Sequence, residues 1–136
     1  MEKLLPQMAD TAAVVKGARR HADLVIAVLV PNIRGCEAAL EAGAHKISMP
    51  LSLSETHSLK NVRRDHAQML EEIAACQALV SQVPEAERPC FEVGLATAFG
   101  CTIEGAVDEA FVIDMAARVL ELGVAEVGLS DTTGMG

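Results

Sequence analysis

The alternation of helical patterns with short apolar runs constrains the fold of this chain of 136 residues more than any other feature. The apolar runs predict four strands, at residues 24–30, 46–49, 90–98 and 125–130. The segments around them predict helices, at about residues 10–21, 35–42, 62–83 and 108–122. Because the linkers are short, each helix crosses over to a strand that runs parallel to the previous one. The sequence therefore predicts an α/β fold with a parallel sheet.

Composition excludes several classes of function. Hydrophobic residues make up 51% of the chain but aromatic residues only 2%, so the core must be aliphatic, as suits helices packed on a parallel sheet. The net charge of −8, with only short basic pairs at residues 19–20 and 63–64, argues against nucleic-acid binding through phosphate contacts. No apolar run is long enough to span a membrane. The four cysteines lack CxxC spacing, which favours reduced thiols in a cytoplasmic protein.

Two architectures have this order of elements: an open doubly wound sheet, and four consecutive units of a (β/α)8 TIM barrel. Neither GxGxxG nor GxxxxGK[ST] occurs at the first predicted strand, which weakens a nucleotide-binding interpretation. Residues 40–47 and 120–127 resemble each other, each with a helix end, a glycine and a strand. The pattern also begins with a helix that has no strand before it. We therefore expect a partial barrel, as a single domain over residues 1–136.

Polar residues follow each predicted strand. Because the carboxyl ends of parallel strands meet at one edge of a sheet, these side chains should converge on one crevice. The set comprises Asn32, Ser52, Ser54, Glu55, Thr97, Asp131 and Thr132. Hydroxyls, an amide and carboxylates with little positive charge suit a hydroxylated or carbonyl substrate beside a metal ion. Asp131, at a strand end before a Thr-Thr-Gly turn, is well placed for general acid or base chemistry.

Other chemically active residue types are interpreted as structural. His57 lies in residues 52–58, which we predict to be a polar loop, where a histidine is usually a surface residue. The other three histidines form no HxH or HExxH pair, so metal-ligand spacing is absent. Cys101 has no histidine near it in the sequence to activate its thiol. Pro50 is expected to end the second strand, because proline interrupts a ladder.

Five segments, taken in order, resemble one family of enzymes. They are residues 3–10, 28–32, 54–61, 98–105 and 129–134. Together they make the chain similar to the 3-hydroxy-3-methylglutaryl-CoA (HMG-CoA) lyases of the DRE-TIM metallolyase superfamily, over nearly its whole length. The resemblance implies a (β/α)8 barrel of which this chain supplies about strands three to six.

The resemblance also implies a reaction and roles for the strand-end residues. The family performs a retro-Claisen cleavage of a 3-hydroxyacyl-CoA, giving acetyl-CoA and acetoacetate, while Mg²⁺ or Mn²⁺ holds the hydroxyl and a carbonyl oxygen of the substrate. By this resemblance Asp131 is a catalytic acidic residue near the acyl group, and Thr132 is a hydrogen-bond partner of the substrate. Asn32, Ser54 and Thr97 are implied to line the acyl pocket.

The chain departs from the family pattern in the residues that bind the metal. It shows no counterpart of the arginine–aspartate pair of the first strand, the His-x-His pair of strand seven or the loop with the catalytic cysteine. We therefore expect these residues alone to bind no metal and to be inactive. Open sheet edges should favour self-association. Two alternatives stay open: a non-catalytic half-barrel scaffold, and a related aldolase or synthase that acts on another hydroxyacid.

Overall fold

The computed structural model describes residues 9–136, and within them a parallel sheet of four strands. The strands are β1 (Ala27–Leu29), β2 (Lys46–Ser52), β3 (Cys90–Ala96) and β4 (Glu126–Leu129). They lie in the sheet in the same order as in the chain, and each pairs in parallel with the next. A doubly wound sheet reverses its strand order at a switch point, whereas a barrel adds each strand beside the last. The strand order therefore confirms the prediction of a partial barrel and argues against the open doubly wound sheet.

Within the same residues, five α-helices connect and cover the strands. They are α1 (Thr11–Ala18), α2 (Ile33–Ala42), α3 (Glu55–Asn61), α4 (His66–Ser81) and α5 (Glu109–Glu121), with a 3₁₀ turn at Glu85–Glu87. Gly43 ends α2 with a φ of 80°, in the left-handed region that favours glycine, as the sequence predicts. None of the helices in this range has the length and apolarity needed to cross a bilayer.

The core lies between the sheet and the helices. Buried side chains alternate along the two central strands, at Ile47, Met49 and Leu51 of β2 and at Phe91, Val93 and Leu95 of β3. The inner face of α4 adds Met69, Ile73, Cys76 and Val80, the residues that the helical spacing predicts. Alternation along a strand places every second residue on the opposite face of the sheet. That face is polar near the amino ends of the strands, where Lys46 Nζ lies 3.1 Å from Glu92 Oε2 and 2.6 Å from Glu126 Oε2.

The first strand is shorter than predicted. Pairing begins where Ala27 meets Lys46, the first residue of β2, and β1 ends at Leu29. Leu24 and Val25 precede this point and are 47% and 74% exposed. An apolar run thus becomes a strand only as far as a neighbouring strand extends beside it.

Pro50 does not end β2, contrary to the prediction. β2 continues for two more residues, and Pro50 pairs with Gly94 of β3. The backbone groups of successive strand residues point alternately to the two neighbouring strands. Lys46 N–H donates to Ile26 O on the β1 side, so Pro50, an even number of residues later, also faces that side. β1 has already ended at Leu29, and the missing N–H of Pro50 therefore leaves the ladder with β3 intact.

Residues 52–58, predicted to be a loop, contain the end of β2 and the start of α3. The Ser54 side chain caps this helix by accepting a hydrogen bond from His57 N–H at 3.1 Å. Glu55 in the first turn and Lys60 in the last turn complement the helix dipole. These signals were present in the sequence, but α3 has only seven residues and too few apolar positions to show a helical period.

We expect Asp65→Ala to lower the free energy of unfolding by about 1 kcal/mol. The Asp65 side chain accepts from Gln68 N–H at 2.8 Å, while Gln68 Oε1 accepts from Asp65 N–H at 3.1 Å. This capping box satisfies two amide groups at the start of α4. Urea denaturation measures the loss against Glu71→Ala, an exposed position in the same helix. Equal stabilities of the two variants would contradict the prediction.

Candidate active site

Hydroxyl groups at the carboxyl ends of β2, β3 and β4 form one hydrogen-bonded group, which we term the strand-end cluster: Ser52, Ser54, Thr97 and Thr132. Ser52 Oγ lies 3.4 Å from Thr97 Oγ1, and Ser54 N–H donates to the same Thr97 oxygen at 3.0 Å. Thr97 N–H donates to Thr132 Oγ1 at 2.8 Å. The structure therefore brings together Ser54, Thr97 and Thr132, as parallel strand ends predict.

Thr97 lies at the centre of the cluster and is fully buried. Its φ of 59° is in the left-handed region, which is unusual for a β-branched residue because the side chain crowds the backbone there. Its hydroxyl donates to Ala96 O at 2.6 Å and accepts from Ser54 N–H. A strained backbone held by several hydrogen bonds indicates a residue that orients its neighbours.

His57 is attached to the cluster, which the sequence did not indicate. Its Nδ1 lies 2.8 Å from Ser52 Oγ. Thr97 gives its hydroxyl proton to Ala96 O, so Ser52 is the donor in its hydrogen bond with Thr97. His57 Nδ1 then donates to Ser52 Oγ. The third helical position after the Ser54 cap was the signal that could have placed His57 here.

His66, the first residue of α4, supports the same strand end from behind. Its Nε2 lies 2.9 Å from Ser52 O, so the ring donates to this carbonyl. The ring also packs against Phe111 of α5, with the ring centres 5.6 Å apart. Two helices therefore fix the backbone that carries the Ser52 hydroxyl.

Asp131 and Thr132 lie on the exposed rim beside the cluster. Asp131 Oδ1 accepts from Met135 N–H at 2.9 Å, and Oδ2 accepts from Gly136 N–H at 3.2 Å. These amide donors hold the pKa of the Asp131 carboxyl below its ordinary value. The carboxylate is therefore ionised at neutral pH and acts as a hydrogen-bond acceptor. Thr132 Oγ1 accepts from the Thr97 amide, which leaves the Thr132 hydroxyl proton free to donate to a ligand.

Asn32 follows β1, and its side chain caps α2 by accepting from Gly35 N–H at 3.0 Å. Among the described residues, no hydrogen bond joins Asn32 to the strand-end cluster. Glu55, also named from the sequence, is exposed in the first turn of α3. The role of Asn32 in the acyl pocket stays a prediction.

A turn that follows β3 is attached to α3. Thr56 N–H donates to Glu104 Oε1 at 2.7 Å. Hydrogen bonds with the Thr56 side chain and then with this amide hold the pKa of Glu104 below its ordinary value. Cys101 in the same turn is 1% exposed. A hydrogen bond with the Ser54 side chain lowers the pKa of the Cys101 thiol. Burial keeps this thiol away from solvent, in keeping with a structural role.

We expect Glu104→Gln to weaken the dependence of stability on acid. Because the pKa of Glu104 is lower in the folded chain than in the unfolded chain, its carboxylate stabilises the fold above the unfolded pKa. This contribution is lost as the pH falls through the folded pKa. The thermal midpoint of the unmodified chain should therefore drop more than that of the variant between about pH 6 and pH 3. Glu87→Gln, at an exposed carboxylate of the 3₁₀ turn, controls for the loss of charge; equal drops in all three proteins would contradict the prediction.

No group of three or more His, Cys, Asp or Glu side chains that could hold a metal ion occurs among residues 9–136. Both carboxylate oxygens of Asp131 already accept from backbone amides. These residues do not by themselves fit the Mg²⁺ or Mn²⁺ that the resemblance implies. The roles derived below therefore contain no step through a metal.

Comparison with known proteins adds the family to this geometry. A family model described as HMGL-like matches residues 1–136, the whole chain. The chain belongs to the HMGL-like family. The match confirms the resemblance drawn from the sequence motifs, although most of the motif at residues 3–10 lies outside the described residues.

Curated relatives of this HMGL-like chain are named as lyases. It is 39% identical over 134 residues to the cytoplasmic 3-hydroxy-3-methylglutaryl-CoA lyase of Danio rerio, covering 98% of this chain and 39% of the relative. It is 33% identical over 132 residues to a hydroxymethylglutaryl-CoA lyase of Bacillus subtilis, covering 97% and 43%. A relative from Pseudomonas aeruginosa is named 3-hydroxy-3-isohexenylglutaryl-CoA/hydroxy-methylglutaryl-CoA lyase. It is 33% identical over 134 residues, which cover 98% of this chain and 43% of the relative. The chain thus spans about two fifths of the length of these relatives.

Solved lyase structures share the fold of this HMGL-like chain. An HMG-CoA lyase from Acinetobacter baumannii, in complex with coenzyme A and 3-methylmalate, matches with a TM-score of 0.88 at 33% identity. That match covers 100% of this chain and 43% of the other. The Bacillus subtilis HMG-CoA lyase matches with a TM-score of 0.88 at 32% identity, covering 100% and 44%. The four-stranded sheet and its helices therefore have the fold of one part of an HMG-CoA lyase.

Proposed function

We propose that this chain supplies part of the active site of a carbon–carbon lyase that cleaves 3-hydroxy-3-methylglutaryl-CoA to acetyl-CoA and acetoacetate. The strand-end cluster is the observation that carries the proposal. It gathers hydroxyl groups from three strands at the edge where barrel enzymes bind their substrates. The lyase names of the relatives, and the related structure that contains coenzyme A, support an acyl-CoA substrate.

Thr132 and Asp131 are the substrate-contacting residues of this proposal. The Thr97 amide fixes the Thr132 oxygen, so the Thr132 hydroxyl donates to an oxygen atom of the acyl group. Asp131 accepts a hydrogen bond from the 3-hydroxyl group. A lowered pKa makes a carboxylate a weaker base. Asp131 therefore orients this hydroxyl, and another group removes its proton.

The remaining predicted residues lie behind this pair or beside it. Thr97 is buried and fully hydrogen-bonded, so it positions Thr132 and Ser54 rather than touching the substrate. Ser54 is equally buried and caps α3. Asn32 is half-buried at the end of β1 and caps α2. Of the three residues that the resemblance assigns to the acyl pocket, Asn32 therefore has the side chain nearest to solvent.

The cation and the location of the protein complete the proposal. Mg²⁺ or Mn²⁺ would be held by ligands other than residues 9–136, because these residues form no metal-binding group. We expect the chain alone to be inactive, since four strands make half of an eight-stranded site. We place the protein in the cytoplasm, as the name of the Danio rerio relative suggests and as free cysteines in the described part of the chain favour.

The test is a chimera in which this chain replaces the matching segment of the Bacillus subtilis lyase. We expect the chimera, with Mg²⁺ or Mn²⁺, to form acetoacetate from 3-hydroxy-3-methylglutaryl-CoA, and the chain alone to form none. A folded chimera, as judged by circular dichroism and a cooperative thermal transition, that forms no acetoacetate would contradict the proposal. An assay of acetyl-CoA, the product common to both compounds, with 3-hydroxy-3-isohexenylglutaryl-CoA, the compound in the name of the Pseudomonas aeruginosa relative, tests the acyl group. Cleavage of the isohexenyl compound without cleavage of 3-hydroxy-3-methylglutaryl-CoA would contradict the proposed substrate.

A further inference from the structure

The ring of His57 reaches the face of the sheet that lies opposite the helices. Ile47, Met49 and Leu51 of β2 are core residues on the helix side, so Ser52, the last residue of this strand, points to the opposite face. In a barrel that face is the interior. Ser52 Oγ lies 2.8 Å from His57 Nδ1, which brings the ring from the start of α3 to this face. The ring therefore lies at the carboxyl edge, where barrel enzymes bind their substrates.

The hydrogen bonds of Ser52 determine which nitrogen of the His57 ring is an acceptor. Because Ser52 Oγ donates to Thr97 Oγ1, it accepts from His57 Nδ1–H. A neutral imidazole carries one proton, which leaves a lone pair on Nε2. No hydrogen bond joins His57 Nε2 to another residue between 9 and 136. The ring is thus held through one nitrogen, and the other is able to accept from a ligand.

The first turn of α3, and with it the ring, is held against the neighbouring strands before any ligand binds. Ser54 Oγ accepts from His57 N–H at 3.1 Å, and Ser54 N–H donates to Thr97 at 3.0 Å. Glu104, in the turn after β3, accepts from Thr56 N–H at 2.7 Å. A group that is already fixed loses little conformational freedom when it contacts a ligand. Members of the strand-end cluster therefore preorganise the ring.

Three kinds of ligand can in general meet an imidazole nitrogen: a metal ion, a phosphate group and an N–H group. One histidine does not hold a metal ion, and residues 9–136 contain no group of three or more metal-binding side chains. The carboxylates of Glu55 and Glu104 lie at the same end of α3 as His57, which disfavours a phosphate group there. A neutral N–H donor is therefore the ligand that best fits His57 Nε2.

We propose that His57 is a specificity-determining residue of the lyase, whose Nε2 accepts a hydrogen bond from the substrate. The donor is the amide N–H nearest the thioester, in the pantetheine arm of coenzyme A. Ser52 is the positioning residue, because its hydroxyl orients the ring. This inference rests on the proposed function and adds a contact to the part of the substrate that does not react.

The spacing of the strands agrees with this donor. β3 separates β2 from β4, so the strand ends that carry His57 and Asp131 are about 10 Å apart. Six bonds join C3, whose hydroxyl donates to Asp131, to this amide nitrogen, and an extended chain of that length spans about 7 Å. A hydrogen bond of about 3 Å at each end completes the distance. The free carboxylate of the acyl group is too near C3 to reach His57.

Two thioesters of 3-hydroxy-3-methylglutarate that differ in one group test the contact. The N-acetylcysteamine thioester keeps the amide N–H, whereas the 2-acetoxyethyl thioester has an ester oxygen in its place. Both release acetoacetate, which measures the reaction of the chimera with the Bacillus subtilis lyase in the presence of Mg²⁺ or Mn²⁺. We expect kcat/KM to be about threefold to tenfold higher for the amide compound, because only this compound has a donor for Nε2.

Replacing His57 should remove the preference for the amide. His57→Phe keeps a planar ring without an acceptor, so kcat/KM should fall about threefold to tenfold for the amide compound and stay within about twofold for the ester. His57→Gln keeps an acceptor on a side chain of similar reach and should keep part of the preference. His21→Phe, at an exposed histidine after α1, is the matched control and should keep all of it. Circular dichroism verifies that each variant is folded.

The complete substrate gives a second measurement of the same contact. With 3-hydroxy-3-methylglutaryl-CoA, His57→Phe should raise KM about threefold to tenfold and leave kcat unchanged, because the amide is remote from the reacting bonds. This value decides the matter where the short thioesters are not cleaved. An unchanged KM, or a preference for the amide that survives in His57→Phe, would overturn the contact alone. A folded chimera that cleaves none of the three compounds would overturn the proposed function and this inference together.

Discussion

Replacing Thr97 with valine is expected to lower the free energy of unfolding by about 1–3 kcal/mol. Valine keeps the shape and branching of threonine but lacks the oxygen that accepts from Ser54 N–H and donates to Ala96 O. Thr97 and Ser54 are both fully buried, so the Ser54 amide is left without a partner and without water. Urea denaturation measures the loss, and the chimera with the Bacillus subtilis lyase shows whether activity falls with it.

Two further variants separate the hydrogen bonds of Thr97 from its backbone strain. Thr102→Val, at an exposed position, should change stability by less than about 0.5 kcal/mol. Thr97→Gly removes the same hydrogen bonds but relieves the left-handed backbone. It should therefore be less destabilised than Thr97→Val. A Thr97→Val chain as stable as the unmodified one would show that the strand-end cluster does not depend on this hydroxyl.

The largest loss of stability is expected for Phe91→Ala, at about 3–5 kcal/mol. Phe91 lies in β3, is 1% exposed and pairs in register with Ile47 of β2. Alanine there removes a buried ring from the centre of the sheet and leaves a cavity that the two flanking strands cannot fill. Thermal and urea denaturation measure the change, and circular dichroism shows whether the variant still folds.

Phe99→Ala is the control for Phe91→Ala. Phe99 is 49% exposed in the turn after β3, so the same chemical change removes little buried surface. We expect a loss of less than about 1 kcal/mol. Similar losses at the two positions would contradict the placement of Phe91 in the core.

Apolar spacing predicted the fold well where one face of an element is buried. The α4 stripe of Met69, Ile73, Cys76 and Val80 could be identified because only a helix brings these residues onto one face. The extent of β1 could not be predicted, because it depends on where β2 lies beside it. Pro50 was misinterpreted for the same reason, since its effect depends on which neighbour its nitrogen faces.

The candidate site was predictable only to the level of strand ends. Parallel strands bring their carboxyl ends to one edge, and this rule alone places Ser54, Thr97 and Thr132 together. It does not determine side-chain contacts, and so it missed the hydrogen bond between His57 and Ser52. The identity of the family came from motif resemblance, because no spacing of residues in this chain dictates a particular reaction.

The value of kcat/KM for the chimera with Thr132→Val, compared with Thr132→Ser, tests most directly whether the strand-end cluster contacts the substrate. Valine removes the hydroxyl, and serine keeps it at the same position beside the Thr97 amide. We predict that Thr132→Val lowers kcat/KM by about tenfold to a hundredfold, while Thr132→Ser stays within about threefold of the parent chimera. Thr132→Val should also be less stable than Thr132→Ser, because valine leaves the buried Thr97 amide without its acceptor, so kcat/KM is measured well below both thermal midpoints. An unchanged kcat/KM for Thr132→Val would contradict a catalytic role for this edge of the sheet.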